Sequence, residues 1–262
     1  MADLEAIIFD VDGTLADTER DGHRCAFNAA FADVGLDWDW TVECYGRLLS
    51  VTGGKERIHA YLRSKRPDFA PPQPLDAFVK ELHRRKTEHY LALMRTGNIP
   101  LRRGVLRLLR EARAAGVRLA IATTTTPENV TALLASASEP GLLDWFEVIA
   151  AGDVVARKKP APDIFELALR QLGLPPSACV VIEDSDNGVR SALAAGLKAL
   201  LVTVSSYTLG QDFTGAPLVV DQLGGPDAPV TAIVGDLGGA SYVDLDVLRA
   251  LWERTFGPAA DD

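Results

Sequence analysis

Two aspartates that lie two residues apart follow the first apolar run of the sequence. Ala6–Phe9 predicts a buried strand, and Asp10 and Asp12 come directly after it in the motif Asp-Val-Asp-Gly-Thr. Residues two apart in extended backbone point the same way, so both carboxylates face one pocket. Such a pair favours a hard cation such as Mg²⁺, which neutralises the acids and an incoming phosphate together. Alone, the motif is equally compatible with an acidic turn.

The spacing of the two carboxylates also predicts a division of labour. A carboxylate held against a cation stays ionised and attacks phosphorus, so we interpret Asp10 as the nucleophile. The like charge beside it pushes Asp12 toward protonation, so that Asp12 donates a proton to the leaving alkoxide and later acts as a base.

A second polar segment follows the apolar run Val117–Ala122. It contains four consecutive threonines beginning at Thr123, then Pro127 and Asn129. Thr126 has the character of a helix N-cap and Pro127 that of the first helical residue. Hydroxyls and free N–H groups at a helix start can hold a phosphate, although a plain capped helix is the better interpretation of this segment in isolation.

Two further strand ends carry charged residues. Lys159 precedes a turn and a helix, where its charge can balance the nucleophile and the phosphoryl oxygens; a surface lysine is the alternative. The run Val180–Ile182 ends in Glu183 and Asp184. We expect Asp184 to bind the metal and Glu183 to orient either the metal or Lys159. Four such signatures at strand ends rarely occur together by chance.

The elements that position these residues alternate along the chain. Short apolar runs predict parallel strands, and segments of helical period separate several of them. This pattern indicates an α/β fold with a doubly wound parallel sheet, whose functional residues lie at the carboxyl ends of the strands. The predicted strands are Ala6–Asp10, Val117–Thr123, Phe146–Ala150, Cys179–Asp184, Ala199–Thr203 and Leu218–Asp221.

Residues 17–96 interrupt this alternation with about eighty residues of mostly helical pattern. We interpret them as an inserted α-helical cap domain, with a return hinge at Thr96–Asn98. The α/β core then comprises residues 1–16 and 97–222. Residues 223–262 form a Gly- and Pro-rich extension that ends in an amphipathic helix, which we expect to pack on the core.

Composition restricts the class of partner. The 262 residues include 47% apolar and 24% charged residues, and the net charge is −9. Nucleic acids and anionic membranes attract clustered positive charge, so neither is expected and the partner should be a small molecule. The three cysteines are widely separated, which excludes a disulfide framework and fits a reducing cytosol. We therefore expect a cytoplasmic monomer without a membrane anchor.

Together, the four motifs resemble those of the haloacid-dehalogenase superfamily of phosphotransferases, over residues 5 to 205. The resemblance implies that Asp10 is the nucleophile and Asp12 the general acid and base. It implies Mg²⁺ binding by Asp10, the Asp12 carbonyl and Asp184, and a phosphoryl group held by Thr123 and Lys159. The helical insertion resembles the cap shared by β-phosphoglucomutases and small sugar phosphatases.

Within that group, the segments Thr52–Arg57 and Thr123–Thr125 resemble those of a phosphatase that removes the inhibitory sugar xylulose-1,5-bisphosphate in Calvin-cycle organisms. Glycines at a helix start, followed by two cations, could form a second anion site; a helix that begins with glycine for steric reasons is an equal alternative. The substrate-binding residues expected on this basis are Glu19, Tyr45, Gly53, Gly54, Lys55, Arg57, Lys86, Thr124 and Asn129. His23 is not included, because the segment after Glu19 is one residue longer than the family pattern.

Three other activities use a similar strand-end aspartate. A dehalogenase would lack the aspartate at position 12. A β-phosphoglucomutase-like sugar phosphomutase shares every core residue, and only the cap and the lifetime of the aspartyl-phosphate separate it from a phosphatase. A receiver-type signalling module also phosphorylates an aspartate, but it is about half this length and has no cap.

Overall fold

In the computed structural model, which describes residues 3–96 and 99–257, one sheet of seven strands forms the centre of the protein. The strands follow the spatial order β3-β2-β1-β4-β5-β6-β7. They are β1 (Ala6–Phe9), β2 (Arg118–Thr123), β3 (Phe146–Ala151), β4 (Cys179–Glu183), β5 (Leu200–Thr203), β6 (Leu218–Val220) and β7 (Ala232–Val234).

The first six strands are parallel, and the predicted α/β class with a doubly wound sheet is confirmed. The seventh strand was not predicted. It pairs antiparallel with β6, and its three residues are exposed. A three-residue strand in a segment rich in glycine and proline has neither the length nor the alternation that would distinguish it from a loop.

The helices of the core cover both faces of the sheet. One face packs against α5, α6 and α9 through residues such as Leu108, Leu133 and Leu248. The other face packs against α7 and α8 through Phe165 and Val189. These helices are α5 (Val105–Ala114), α6 (Pro127–Ser136), α7 (Asp163–Leu172), α8 (Asp186–Ala194) and α9 (Leu245–Phe256). Among the described residues no helix combines the length and apolar character needed to cross a membrane.

The segment predicted to be a cap folds into helices around its own aromatic cluster. Trp40 is fully buried and packs against Phe27 and Phe31, with ring centroids 4.7 and 4.9 Å away. Its helices are a π-helix (Glu19–His23) continued by α1 (Arg24–Asp33), then α2 (Val42–Leu48), α3 (Gly54–Lys65) and α4 (Leu75–Arg95). The exact domain boundaries stay a prediction, and Gly97 and Asn98 of the expected hinge lie outside the described residues.

Strand register brings the functional residues together. Phe9, the last residue of β1, lies level with Ile121 on one side and Ile182 on the other. The Asp10 N–H donates to the Ile182 carbonyl at 3.0 Å, which continues the ladder beyond the strand. Asp10 therefore lies between the ends of β2 and β4, at the edge where parallel strands present their carboxyl ends.

The helix predicted near the end of the chain is present as α9, and it packs against α5 and β4. Leu248 is fully buried, and the Trp252 indole N–H donates to the Ser177 carbonyl at 2.7 Å. Helix α9 thus completes the hydrophobic layer on one face of the sheet.

Removing the Leu248 side chain should destabilise the protein. We expect Leu248→Ala to lower the free energy of unfolding by about 2–5 kcal/mol, because the truncation leaves a cavity under α9. Val234→Ala, at an exposed position on β7, is the control and should change that energy by less than about 0.5 kcal/mol. Urea unfolding followed by circular dichroism measures both; equal effects would contradict the packing of α9 on the core.

Candidate active site

One lysine ammonium lies among buried carboxylates at the carboxyl ends of β1 and β4. Lys159 Nζ donates to Asp10 Oδ1 at 2.7 Å, to Glu183 Oε1 at 2.6 Å and to the Ala122 carbonyl at 2.9 Å. Lys159 and Asp10 are buried, and Glu183 is completely inaccessible to solvent. The expected proximity of Lys159 to Asp10 is therefore present, and Lys159 is not a surface lysine.

Burial and crowding shift the protonation equilibria of this group. Burial raises the pKa of Asp10 to about 7, and the charge of Lys159 opposes that rise. Burial, followed by the charges of Glu183 and Asp10, raises the pKa of Asp184 well above its ordinary value. Burial also acts to lower the pKa of Lys159, but its two carboxylate partners outweigh burial and raise that pKa. The cluster is short of positive charge.

Glu183 has no room to move. Its Oε2 accepts from the N–H groups of Asp184 at 3.0 Å and Ser185 at 3.4 Å, and from the Ser185 hydroxyl at 3.3 Å. A Cβ at residue 188 would lie 1.9 Å from the Glu183 carboxyl carbon, so the site requires Gly188. Of the two predicted alternatives for Glu183, its hydrogen bonds fit the one in which it orients Lys159.

The donor set fits a divalent cation. Asp10, Glu183 and Asp184 each place a carboxylate oxygen within 4.8 Å of the others. Three buried carboxylates beside a single ammonium leave excess negative charge, which oxygen-liganded cations satisfy. Since Glu183 is committed to Lys159, the side chains that could hold the ion are those of Asp10 and Asp184. The side chain of Asp12 lies outside this set, in line with a predicted contribution through its carbonyl.

Asp12 has separate partners. Its Oδ1 accepts from the Thr18 hydroxyl at 2.5 Å and lies 2.8 Å from His23 Nε2. Lys86 Nζ lies 2.7 Å from His23 Nδ1. Because an ammonium can only donate, Nδ1 accepts, and the ring hydrogen is on Nε2 and points to Asp12. Asp12, His23 and Lys86 form one hydrogen-bonded chain.

This chain corrects the expected protonation of Asp12. Burial alone would raise the pKa of Asp12, but the interaction with His23, the Thr18 hydrogen bond and the charge of Lys86 outweigh burial and hold it below the usual range. The prediction that like charge makes Asp12 the protonated carboxyl is therefore wrong for the unliganded protein. The carboxyls with raised pKa values are those of Asp10 and Asp184.

The exclusion of His23 is also corrected. The backbone forms a π-helix over Glu19–His23, in which the Arg24 N–H donates to the Glu19 carbonyl, five residues back. A π-turn holds one residue more than an α-turn, so it accommodates the additional residue and returns His23 to the site. His23 is buried and its ring stacks on Tyr90, with centroids 4.2 Å apart. In the sequence, the extra residue between Glu19 and His23 was the signal that could have indicated this π-helix.

The threonine segment forms the wall opposite Lys159. Thr123 is buried at the end of β2, and its hydroxyl accepts from the Thr125 N–H at 3.3 Å. Thr123 and Thr124 line a cleft of about 420 Å³ together with Asp10, Asp12, Lys159 and Asp184. Thr126 is the N-cap residue of α6 and Pro127 its first residue, as predicted.

Three of the expected cap residues form a hydrogen-bonded group beside Asp12. The Tyr45 hydroxyl donates to Glu19 Oε2 at 2.5 Å, and Arg57 Nη1 donates to the Tyr45 oxygen at 2.7 Å. Tyr45 is fully buried, and Glu19 and Arg57 line the cleft. This group is rigid and offers both a carboxylate and a guanidinium to a polyhydroxylated ligand.

A smaller cavity of about 40 Å³ lies between cap and core and shares Asp12 and Thr124 with the cleft. The starts of helices α3 and α6 both line it, through Gly53, Gly54 and Thr126. Lys86 and Asn129 also line it. The Thr126 hydroxyl and Asn129 Oδ1 are buried without a hydrogen-bond partner among the described residues. Two helix N-termini and a buried ammonium make the cavity suitable for an anion.

Lys55 does not contribute to either cavity. Its ammonium contacts Asp153 of the core on the outer side of the boundary between cap and core. Lys158 bridges the same boundary, 3.0 Å from Glu56 and 2.9 Å from Asp153. The structure thus does not bring Lys55 to either cavity, because a carboxylate across the boundary, invisible in the sequence, contacts this side chain on the outer side.

Comparisons with known proteins identify the family of this chain. The family model of the haloacid dehalogenase-like hydrolases matches residues 4–196. The chain belongs to this family, and the prediction that it is a hydrolase of the haloacid-dehalogenase superfamily is confirmed.

Within the family, the chain is similar to CbbY. It is 50% identical over 242 residues to Protein CbbY of Cereibacter sphaeroides, covering 92% of this chain and 97% of that protein. A crystal structure of CbbY from Rhodobacter sphaeroides with phosphate matches at 49% identity and a TM-score of 0.78, covering 84% of this chain and 94% of that one. A variant of the same protein in complex with xylulose-1,5-bisphosphate matches at 47% identity and a TM-score of 0.78, covering 92% and 100%.

Removing the ammonium of Lys159 should destabilise the protein in a pH-dependent way. We expect Lys159→Met to lower the free energy of unfolding at pH 8 by about 3–5 kcal/mol, because it leaves buried carboxylates without a partner. Their pKa values then lie above those of the unfolded chain, so protonation below pH about 7 restores stability. The loss should therefore be smaller at pH 5.

Urea unfolding in the presence of a chelator measures this loss at both pH values. Lys198→Met, at an exposed position, is the control and should have little effect at either pH. A Lys159→Met loss that does not depend on pH would contradict the electrostatic interpretation.

Proposed function

We propose that this chain is a Mg²⁺-dependent phosphatase that hydrolyses a sugar bisphosphate, xylulose-1,5-bisphosphate, through an aspartyl-phosphate on Asp10. The observation that carries the proposal is the position of Asp10, at the edge of a cleft and 2.7 Å from Lys159 Nζ, with Asp12 on the same loop. Its family membership makes the chain a hydrolase, and a strand-end aspartate beside a lysine suits phosphoryl transfer.

The residues divide the reaction into two steps. Asp10 attacks phosphorus, the bond to the sugar oxygen breaks, and Asp12 gives that oxygen a proton. Water then attacks the aspartyl-phosphate, Asp12 takes its proton, and inorganic phosphate leaves with Asp10 restored. Lys159 and the hydroxyl of Thr123 stabilise the negative charge of the phosphoryl oxygens in both steps. Mg²⁺, held by Asp10, Asp184 and the Asp12 carbonyl, would neutralise the same oxygens.

Asp12 must carry a proton when the sugar leaves, although it is an anion in the unliganded protein. A bound phosphate brings further negative charge next to Asp12, which favours the protonated carboxyl. His23 keeps its Nε2 hydrogen bond to Asp12 throughout, so the carboxyl is held in one orientation. Once it has given its proton to the sugar oxygen, Asp12 is again a carboxylate and can accept a proton from water in the second step.

The smaller cavity supports a bisphosphate rather than a monophosphate. A cavity of about 40 Å³ exceeds the ~10–15 Å³ that one water needs. Its lining is polar and includes the cations Arg57 and Lys86 together with the acids Asp12 and Glu19. Lys86 is the buried ammonium in that lining, and the starts of α3 and α6 supply N–H groups. This cavity and the Asp10 cleft share Asp12 in their linings, so a short sugar chain with one phosphate in each would lie beside the acid.

The particular substrate is inferred from a relative. CbbY from Rhodobacter sphaeroides has been crystallised as a variant with xylulose-1,5-bisphosphate, and this chain matches it over 92% of its length. That sugar has the two phosphates that the two cavities would hold. The phosphomutase is the alternative, and it would return an isomeric sugar phosphate. The family membership speaks against a receiver-type module, which would not turn over.

Replacing the nucleophile tests the mechanism. Asp10→Asn should lower Mg²⁺-dependent phosphate release from xylulose-1,5-bisphosphate by more than about 10⁴-fold, because an amide cannot form the phospho-enzyme. Asp21→Asn, on the exposed side of the π-helix, is the control and should retain activity. Phosphate release and sugar products are measured together. Residual hydrolysis by Asp10→Asn would reject the aspartyl-phosphate, and an isomer formed without phosphate would favour the mutase.

Comparing two lysines tests the second anion site. Burial lowers the pKa of Lys86 to about 8, so KM for the bisphosphate should rise above pH 8 as this ammonium loses its proton. Lys86→Met should raise KM for the bisphosphate at pH 7 by about 10–100-fold, remove the alkaline rise, and affect KM for xylulose-5-phosphate less.

Lys55→Met is the matched control, and it should leave the ratio of kcat/KM for the two substrates within about threefold of that of the wild type. Selective loss of the bisphosphate in Lys55→Met, but not in Lys86→Met, would relocate the second phosphate to the outer boundary.

A further inference from the structure

Arg102 lies where the chain returns from the cap to the core. The backbone N–H of Arg102 donates to the Leu15 carbonyl at 2.8 Å. The preceding residue, Leu101, pairs with Ala16 in an antiparallel bridge. Leu15 and Ala16 belong to the short segment that leads from Asp12 out to the cap. The outgoing and returning linkers therefore run side by side, and Arg102 is attached to both.

The guanidinium of Arg102 turns into the core and connects three parts of the protein. Its Nη1 donates to the Gly13 carbonyl and, at 3.0 Å, to both the carbonyl and the hydroxyl of Thr203. Its Nη2 donates to the carbonyls of Val204 at 2.6 Å and Asp221 at 3.2 Å. These acceptors lie on the Asp12 loop and just at or beyond the ends of β5 and β6. The side chain is only 10% exposed.

Gly13 is the contact that reaches the chemistry. It follows Asp12 directly, with φ of +91°, and a Cβ there would lie 2.0 Å from Asp184 Oδ2. Gly13 therefore packs closely against Asp184 and directly follows Asp12 in the chain. A donor fixed on the Gly13 carbonyl restrains the loop immediately after Asp12.

We infer that Arg102 is a positioning residue, which holds the Asp12 loop through the Gly13 carbonyl so that Asp12 is aligned with the leaving oxygen of the substrate. The inference rests on the proposed function of Asp12 as general acid. The hydrogen bonds to Thr203, Val204 and Asp221 hold the guanidinium in place. Through it, the Asp12 loop is connected to the ends of β5 and β6. Nε of Arg102 also lies 3.5 Å from Asp17 on the outgoing linker.

Lysine cannot reproduce this arrangement. A guanidinium presents its donors in a rigid planar fork, whereas an ammonium is a single point on a flexible chain. Arg102→Lys retains the charge and loses the fork, and Arg102→Met loses both. Arg103 is the adjacent residue, is exposed, and provides the matched control.

The test compares two substrates that differ in their need for an acid. A sugar alkoxide leaves only with a proton, whereas p-nitrophenolate leaves without one. We expect Arg102→Lys and Arg102→Met to lower kcat/KM for xylulose-1,5-bisphosphate by about 30-fold or more, and for p-nitrophenyl phosphate by less than about threefold. Asp12→Asn should show the same selectivity, and Arg103→Met should match the wild type. kcat/KM is the appropriate quantity because it reports the steps up to phosphorylation of Asp10.

The outcomes separate this inference from the proposed function. Equal losses for the two substrates would mean that Arg102 has only a structural role, and no loss for either would also overturn the inference. If Arg102→Met does not fold by circular dichroism, Arg102→Lys alone decides. If the wild type releases no phosphate from either substrate, the proposed function itself is wrong, and this inference falls with it.

Discussion

The pairing of one buried ammonium with several carboxylates is the constraint on which the rest of this structure depends. Lys159 is acceptable in the interior only because Asp10 and Glu183 are there, and those acids are acceptable only because Lys159 is. The sheet register, the missing side chain at Gly188 and the backbone N–H groups around Glu183 all keep these charges in contact. The remaining negative charge is what prepares the site for a cation.

A second, separate electrostatic group surrounds Asp12. Its partners come from the cap, because His23 and Lys86 lie on the π-helix and on α4, whereas Asp10 and its partners belong to the core. The two aspartates are neighbours in sequence, yet one is tuned by the core and the other by the cap. The state of the acid is thereby linked to the presence of the cap, which also forms the walls of the substrate cavities.

Much of this could be predicted from the sequence, since strand-end polar residues converge in a parallel sheet whatever the details of packing. The residues Asp10, Thr123 and Asp184 meet for that reason, and Lys159 reaches them from the loop between β3 and α7. The protonation of Asp12 could not be predicted, because it depends on partners 11 and 74 positions away in the chain. The outward direction of the Lys55 side chain could not be predicted for a similar reason, because its carboxylate partner lies 98 residues further on. Arg102 has no sequence signal at all, since it is indistinguishable from Arg103 until the fold exists.

The strand order has a consequence for how the molecule is assembled during synthesis. Strand β1 is made first but lies in the interior of the sheet, where its two neighbours are β2 and β4. A nascent chain must therefore hold β1 unpaired until more than a hundred further residues have been made, and the face later covered by α9 stays open longer still. Such long-range pairing slows folding and leaves apolar edges accessible to aggregation in the meantime. The cap, whose aromatic cluster is built from local contacts, is the part that can acquire structure while the chain is still being extended.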